Sequence, residues 1–229
     1  MKAGNHSYTR LADLPTTVPL FPLSGALLLP AGNMPLNIFE PRYLAMINDA
    51  ISSHRMIGMI QPRFDLDAAD DKTNSDEDPQ LCDVGCLGRI TAFQENGDGR
   101  LMVNLAGVCR FRLIEEIAGS QGYRRAEIAG FGDDLADSTE AAKAVDRDGL
   151  LETFKAFLEA NDMQADWEGV SEASNETLVN TLSMLSPYGP AEKQALLEAP
   201  DLKTRAETLV AMTEISLARE SAESPNTLQ

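Results

Sequence analysis

The chain of 229 residues is 43% hydrophobic and 24% charged, which is typical of a globular protein of one large or two small domains. Its 36 acidic residues outnumber 19 basic ones, and the net charge of −17 disfavours binding to nucleic acid or to anionic membrane surfaces. The sequence has no apolar run of membrane-spanning length, no signal-peptide core and only three cysteines. We therefore expect a cytoplasmic protein with no nucleic-acid or membrane partner.

The first predicted elements lie in an apolar stretch that prolines interrupt, residues 18–44. Residues 1–14, which precede it, are expected to form a loosely held arm. Val18–Leu23 and Leu27–Leu29 are predicted to be short edge or kinked strands, because proline removes a backbone donor from the ladder. A helix is predicted from Pro41, since proline suits the first turn and apolar residues then recur at helical spacing.

Further strands are predicted downstream by alternating or continuous apolar runs. They are Met56–Gln61, Val84–Glu95, Arg100–Leu105, Cys109–Ile117 and Tyr123–Phe131. Asn96–Gly99 is predicted to form a hairpin turn and Gly107 a bend or bulge. The acidic segment Arg63–Gln80 is predicted to be a mobile loop. Several strands at short spacing predict a closed or half-closed antiparallel barrel.

The composition changes after Gly132, where glycine becomes scarce and good helix formers dominate. Helices are predicted at residues 139–160, 175–185, 190–198 and 202–219, with Asp201 as the N-cap of the last. The sequence therefore predicts an α+β protein. Residues 1–132 would form a β-rich subdomain with one helix, and residues 133–229 an α-helical bundle.

Sequence motifs carry a family resemblance over most of the chain. V-P-L-F-P-L at residues 18–23 and L-L-L-P-A-G-N-M-P-L-N-I-F-E-P-R-Y at residues 27–43 resemble the start of the N-terminal substrate-binding domain of ATP-dependent Lon proteases. Residues 85–90, 101–112 and 123–128 follow in the family's order. The resemblance implies a PUA-like pseudo-barrel followed by a helical bundle, and a stand-alone module that binds unfolded or tagged polypeptides.

Residues that could support catalysis or metal binding are few. No Gly-Lys pair occurs, so the chain has no Walker A loop, and the ATPase and protease activities of full-length Lon are not carried over. Cys82, Cys86 and Cys109 are interpreted as core residues rather than zinc ligands or nucleophiles. His6 lies in the arm, and His54 is expected to cap a helix C-terminus as a cation. We predict no catalytic residue, no metal and no cofactor.

A candidate peptide-binding surface follows the proline-rich stretch. It consists of Met34, Leu36, Phe39, Glu40, Arg42 and Tyr43. The first three are expected to be exposed, because methionine and aromatic side chains suit the binding of varied segments. The last three have a structural alternative: Glu40 would interact with the helix amides, Arg42 would pair with a carboxylate, and Tyr43 would pack beneath.

We predict a non-catalytic module that binds apolar segments of unfolded or tagged polypeptides and acts as an adaptor, a holdase or a regulator of proteolysis. A protease or a chaperone would then be a further partner. Two alternatives remain open. One is a small hydrolase of unknown substrate. The other is an RNA-binding PUA-like protein, whose basic face would come from Arg110, Arg112, Arg124 and Arg125.

Overall fold

Strands dominate the first part of the chain and helices the second. The computed structural model describes residues 1–63, 79–118, 122–136, 142–161, 163–164 and 166–223. The strands are β1 (Lys2–Ala3), β2 (His6–Ser7), β3 (Thr17–Pro22), β4 (Asn33–Ile38), β5 (Met56–Pro62), β6 (Leu81–Glu95), β7 (Leu101–Ile117) and β8 (Arg125–Gly130). The helices are α1 (Pro41–Ile51), α2 (Arg147–Ala160), α3 (Trp167–Glu172), α4 (Asn175–Leu185), α5 (Pro190–Glu198) and α6 (Leu202–Glu223). The predicted α+β class is confirmed.

Five of the strands pair in a ring. β3 pairs in parallel with β5. The pairs β5–β6, β6–β7, β7–β8 and β8–β3 are all antiparallel, and the last of them closes the ring. The long strand β7 also pairs with β4 through its first half, with Met34 opposite Leu105. Within the described residues no strand pairs with the other side of β4, which is therefore an open edge.

The apolar side chains of the described residues form two clusters. One is built from strands of the ring and the N-terminal arm, and it includes the fully buried Phe111 and Leu20. The larger one joins the sheet to the helices and includes Met46 of α1, Leu105 of β7 and Leu196 of α5. The larger cluster therefore contains residues from both sides of residue 132. The division into two subdomains at this residue stays a prediction.

A buried ion pair also joins the sheet to the helical part. The Arg110 guanidinium of β7 contacts the Asp134 carboxylate at 2.8 Å, and the two side chains are only 5% and 8% exposed. Arg110 Nη1 also donates to the carbonyl oxygens of Leu197 and Ala199 at the end of α5. Burial lowers the pKa of Arg110, but the hydrogen bond and the charge of Asp134 outweigh it, and the pKa is raised. The guanidinium thus satisfies carbonyl groups that have no partner within the helix.

The prediction of a strand at Leu27–Leu29 is wrong, and the strand lies at Asn33–Ile38 instead. The three leucine side chains are buried, but their backbone forms a loop that crosses β7 at Gly107. There the Ala31 N–H donates to the Gly107 carbonyl at 3.0 Å, and the Gly107 N–H donates to the Gly32 carbonyl at 2.8 Å. The register of β6 against β7 shifts beside Gly107, which confirms the predicted bulge.

The expectation of a loosely held arm at residues 1–14 is also wrong. Ala3 and Tyr8 are almost fully buried, and the Met1 amino group donates to the Tyr8 carbonyl at 3.0 Å. Arg89 Nη1 donates to the Tyr8 hydroxyl at 2.9 Å. Two apolar anchors inside a polar sequence therefore hold the arm against the ring.

The helical predictions are largely confirmed. α4 and α5 have the predicted bounds, and α6 begins at Leu202, with Asp201 accepting the Thr204 N–H at 2.8 Å. The short helix α3 was not predicted. Of the helix predicted at residues 139–160, α2 begins only at Arg147, because the Asp146 side chain accepts the Gly149 N–H at 3.1 Å and caps the helix there. The predicted acidic loop falls mostly on residues 64–78, which, like residues 139–141, lie outside the described residues. In the described part of the chain no helix is both long and apolar enough to cross a membrane.

Candidate functional site

The apolar contacts predicted on β4 and at Phe39, the residue that follows it, are only partly exposed. Phe39 is 61% exposed, whereas Met34 is half-buried and Leu36 is 8% exposed. Side chains alternate along a strand, and Met34, Leu36 and Ile38 all point into the larger cluster. The expectation that Leu36 is exposed is therefore wrong, because the strand period places it on the inner face.

The polar part of the predicted site is an ion pair above a buried ring. Arg42 and Glu40 are 2.8 Å apart, and both remain accessible to solvent. The Arg42 guanidinium also lies 4.7 Å from the centroid of the Tyr43 ring, which is buried and contacts the Phe21 ring edge-on. The Glu40 side chain accepts Arg42 Nε–H at 2.9 Å but no backbone N–H at the start of α1, so that part of the structural alternative is wrong. The packing of Tyr43 beneath and the pairing of Arg42 are confirmed.

Phe39 lies on an exposed apolar patch at the open edge of the sheet. Met102 of β7 is opposite Asn37, two residues before Phe39, and is 40% exposed on the same face. The Arg100 guanidinium lies 5.9 Å from the Phe39 ring centroid. The patch therefore combines large apolar side chains with a free strand edge.

A larger apolar concavity lies between helices, and the sequence reasoning missed it. We call it the helical groove; its volume is about 730 Å³. Its two long walls are Phe154, Phe157 and Leu158 of α2 and Leu178, Leu182 and Leu185 of α4. The spacing of these residues gives each helix an apolar stripe, so the signal was present in the sequence.

The local structure explains why the groove stays open. α2 and α4 both pack against α6, which holds the two stripes on either side of a space. Arg147 at the start of α2 donates to the Val170 carbonyl at 2.7 Å and to the Ala173 carbonyl at 2.9 Å, which fixes the end of α3. The Asp166 side chain accepts the Gly169 N–H at 3.2 Å and caps the other end of α3. α3 thereby forms the third wall.

The lining of the groove is suited to apolar ligands. Leu182 and Phe157 in its walls are buried, whereas Leu185 is 78% exposed and Met163 is 52% exposed at its rim. Asp166, the N-cap of α3, is the one ionisable side chain among the lining residues that the structure describes. A mostly apolar concavity of this volume has the size and chemistry of a ligand-binding site.

The cysteines are core residues, as predicted. Cys86 and Cys109 are almost fully buried, and Cys109 Sγ donates to backbone carbonyl oxygens of Arg110 and Phe131. Burial raises the pKa of Cys82 to about 11 and that of Cys109 to about 12, so the thiols are protonated at neutral pH. Among the described residues no cysteine is hydrogen-bonded to a histidine, and no group of three potential ligands could hold a metal ion.

His54 does not act as a cationic helix cap. Its Nδ1 accepts the Met56 N–H at 3.0 Å, which requires an unprotonated Nδ1, and burial lowers the pKa of the ring. The basic residues considered for RNA do not share one open face. Arg110 lies in the buried ion pair, and Arg124 donates to Glu116 at 2.7 Å.

Residues 17–214 match the model of a protein family, the ATP-dependent protease La (LON) substrate-binding domain. The Lon protease of Flavobacterium johnsoniae is 26% identical over 204 residues, which cover 86% of this chain and 24% of that protein. Lon protease 2 of Sorangium cellulosum is 28% identical over 204 residues, with the same coverage of 86% and 24%. The chain thus spans about a quarter of the length of these curated relatives.

Solved structures show the same fold. A Lon N-terminal domain protein from Xanthomonas campestris is 23% identical with a TM-score of 0.57, and the N-terminal domain of a Mycobacterium avium complex Lon protease is 17% identical with a TM-score of 0.63. Both matches cover 86% of this chain and 98% of the other. The resemblance seen in the sequence motifs is confirmed. The chain belongs to the family of the ATP-dependent protease La (LON) substrate-binding domain.

Proposed function

We propose that this chain binds apolar segments of unfolded or tagged polypeptides in the helical groove and catalyses no reaction itself. The family model that matches residues 17–214 describes a substrate-binding domain, which supports a binding role. The observation that carries the proposal is the groove itself. It is about 730 Å³ in volume, mostly apolar, and bordered by the exposed Leu185 and Met163.

The binding mechanism is the burial of apolar side chains of the partner. Each leucine- or phenylalanine-sized side chain that leaves water contributes about 1.5–3 kcal/mol, so a few of them offset the cost of ordering the segment. The flexible Met163 side chain adapts to different shapes at the rim. Few polar groups impose a register, and the groove therefore suits varied segments rather than one sequence.

The exposed patch at Phe39 provides a second contact in this proposal. An extended segment of the same polypeptide adds to the open edge of β4, where backbone groups are available for pairing. Phe39 packs on it, and the Glu40–Arg42 ion pair borders it. The other predicted residues contribute indirectly, because Met34, Leu36 and Tyr43 support this edge from the core.

We further propose a cellular role for the chain and a finer division of its architecture. The chain would act in the cytoplasm as an adaptor or regulator that presents polypeptides to a protease or a chaperone. The ring of strands would be a PUA-like pseudo-barrel in residues 1–132, and residues 133–229 would form the helical bundle. The ring of strand pairings and the grouping of α2 to α6 support this assignment.

Leu185→Asp tests the groove directly. We expect it to weaken the binding of an unfolded chain by at least about tenfold, because a carboxylate at the rim must be desolvated by the apolar segment. Fluorescence anisotropy of dye-labelled, reduced and alkylated α-lactalbumin, without ATP, measures the affinity. Ile215→Asp is the matched control, since Ile215 is an exposed apolar residue of α6 outside the groove and is expected to leave the affinity unchanged.

Phe39→Asp separates the two surfaces. If this variant loses binding while Leu185→Asp binds like the wild type, the sheet edge is the binding surface and the groove is not. If the wild-type protein binds neither this chain nor other unfolded polypeptides, the proposed function itself is wrong.

A further inference from the structure

A second concavity, separate from the helical groove, lies where the N-terminal arm meets the ring. We call it the arm cleft; its volume is about 430 Å³. Its polar lining residues include His6, Tyr8, Asp13, His54, Arg55 and Arg89. Both histidines of this acidic protein and two of its arginines therefore border one small space. We propose that the arm cleft binds an oxyanion, the carboxylate or phosphate group of a small ligand.

The charge balance of the cleft favours an anion. Neither Arg55 nor Arg89 forms an ion pair with a carboxylate among the described residues, although acidic residues outnumber basic ones 36 to 19. Among the lining residues that the structure describes, Asp13 is the one carboxylate, and it already accepts the Thr9 N–H at 2.9 Å and the Arg10 Nε–H at 3.1 Å. Its charge is thus balanced by Arg10, on the arm itself, and not by the arginines of the cleft.

The donors of the cleft are held in place by the fold. Arg89 Nη1 donates to the Tyr8 hydroxyl at 2.9 Å and to the His54 carbonyl at 3.3 Å, which leaves the other N–H groups of the guanidinium for a ligand. Because His54 Nδ1 accepts the Met56 N–H, Nε2 carries the proton of the neutral ring and is a further donor. A guanidinium fork matches the geometry of a carboxylate or phosphate.

The position of Arg55 gives independent support. Its φ is +60°, a left-handed conformation that favours glycine, and its N–H donates to the Ala50 carbonyl at 2.8 Å to close α1. Glycine would close the helix in the same way without a steric cost. The long cationic side chain at this position is therefore not required by the fold, and it is exposed at the cleft.

In the test, the full chain is titrated with inorganic phosphate and, separately, with succinate. Binding is measured by the change in the ¹H–¹⁵N chemical shifts of residues 54–56 and 89. We expect saturable shifts with at least one of the two ions, and the stronger binder identifies the source of the oxyanion. Arg55→Gly is expected to weaken that binding by at least about tenfold, because a charge-assisted pair is lost. Its unfolding midpoint in urea should be unchanged or higher, since the left-handed strain is relieved.

Arg112→Ala is the matched control, because Arg112 is also exposed and has no carboxylate partner among the described residues, but it does not line the cleft. It should leave the affinity for the ion unchanged. The absence of saturable shifts with both ions, or an equal loss of binding in Arg112→Ala and Arg55→Gly, would overturn the proposal. Either outcome leaves the polypeptide-binding function untouched, since that function is measured at a different surface.

Discussion

Asp134→Ala is expected to lower the free energy of unfolding by about 3–5 kcal/mol, because it leaves the Arg110 guanidinium charged and unpaired inside the protein. The guanidinium is 5% exposed, so water cannot replace the lost carboxylate. Its remaining contacts include the carbonyl oxygens of Leu197, Ala199 and Pro200 and the face of the Phe131 ring, which carry no full charge and compensate the guanidinium only in part. Urea unfolding followed by circular dichroism measures the change.

Asp83→Ala is the control for this effect. Asp83 forms an ion pair of the same length, 2.8 Å, with Arg63, but the side chains are 65% and 49% exposed. Water screens that pair, and its loss should cost less than about 1 kcal/mol. Equal costs for the two variants would contradict the account. Combining Asp134→Leu with Arg110→Met should recover part of the stability, since no uncompensated charge then remains buried.

Gly107→Ala is expected to destabilise the protein by about 3 kcal/mol, the upper end of the usual cost of overpacking. A Cβ at this position would overlap the backbone carbonyl group of Leu29, which is not the movable end of a flexible side chain. To accommodate it, the loop must move away from β7 and break the hydrogen bonds that Gly107 makes with Ala31 and Gly32. Thermal and urea unfolding measure the loss.

The comparison variant is Gly97→Ala in the β6–β7 turn. A Cβ built on Gly97 meets no atom within 4 Å, and Gly97 is not among the residues with positive φ. Its substitution should change the stability by less than about 0.5 kcal/mol. If both alanine variants behave alike, the close approach of the loop to Gly107 does not matter for folding.

The elements that follow local rules were predictable from the sequence. Pro41 begins α1 because its missing N–H is not needed in the first turn, and Asp201 caps α6 through the Thr204 N–H. The hairpin turn at Asn96 has its expected hydrogen bond between the Asn96 N–H and the Arg100 carbonyl. In each case the information lies within a few residues of the chain.

The failed predictions depend on distant partners. The apolar run Leu27–Leu29 is typical of a strand, but the free side of β7 is paired with β4 instead. The three leucine side chains are therefore buried while their backbone forms a loop. Tyr8 lies in a polar segment, but its ring packs in the cluster of the ring strands and its hydroxyl accepts an N–H of Arg89, far along the chain. No local pattern reports such contacts.

The candidate site shows the same limit. Local reasoning found Phe39 and the Glu40–Arg42 pair, which are exposed, but it also selected Leu36, which the strand period turns inward. It missed the helical groove, because each helix was predicted separately and the groove lies between helices. Whether two stripes pack together or leave a space between them is decided by α6 and by the Arg147 contacts, which the sequence does not display.

Alkylation of a cysteine placed in the groove tests the central claim most directly. The native thiols react slowly because burial raises their pKa, so a cysteine introduced as Leu185→Cys reports on the groove alone. Unfolded α-lactalbumin at about ten times its Kd should slow this alkylation about tenfold, because the occupied groove shields the thiol. Ile215→Cys, outside the groove, should react at the same rate with and without the polypeptide. Equal alkylation of Leu185→Cys with and without bound polypeptide would contradict binding in the helical groove.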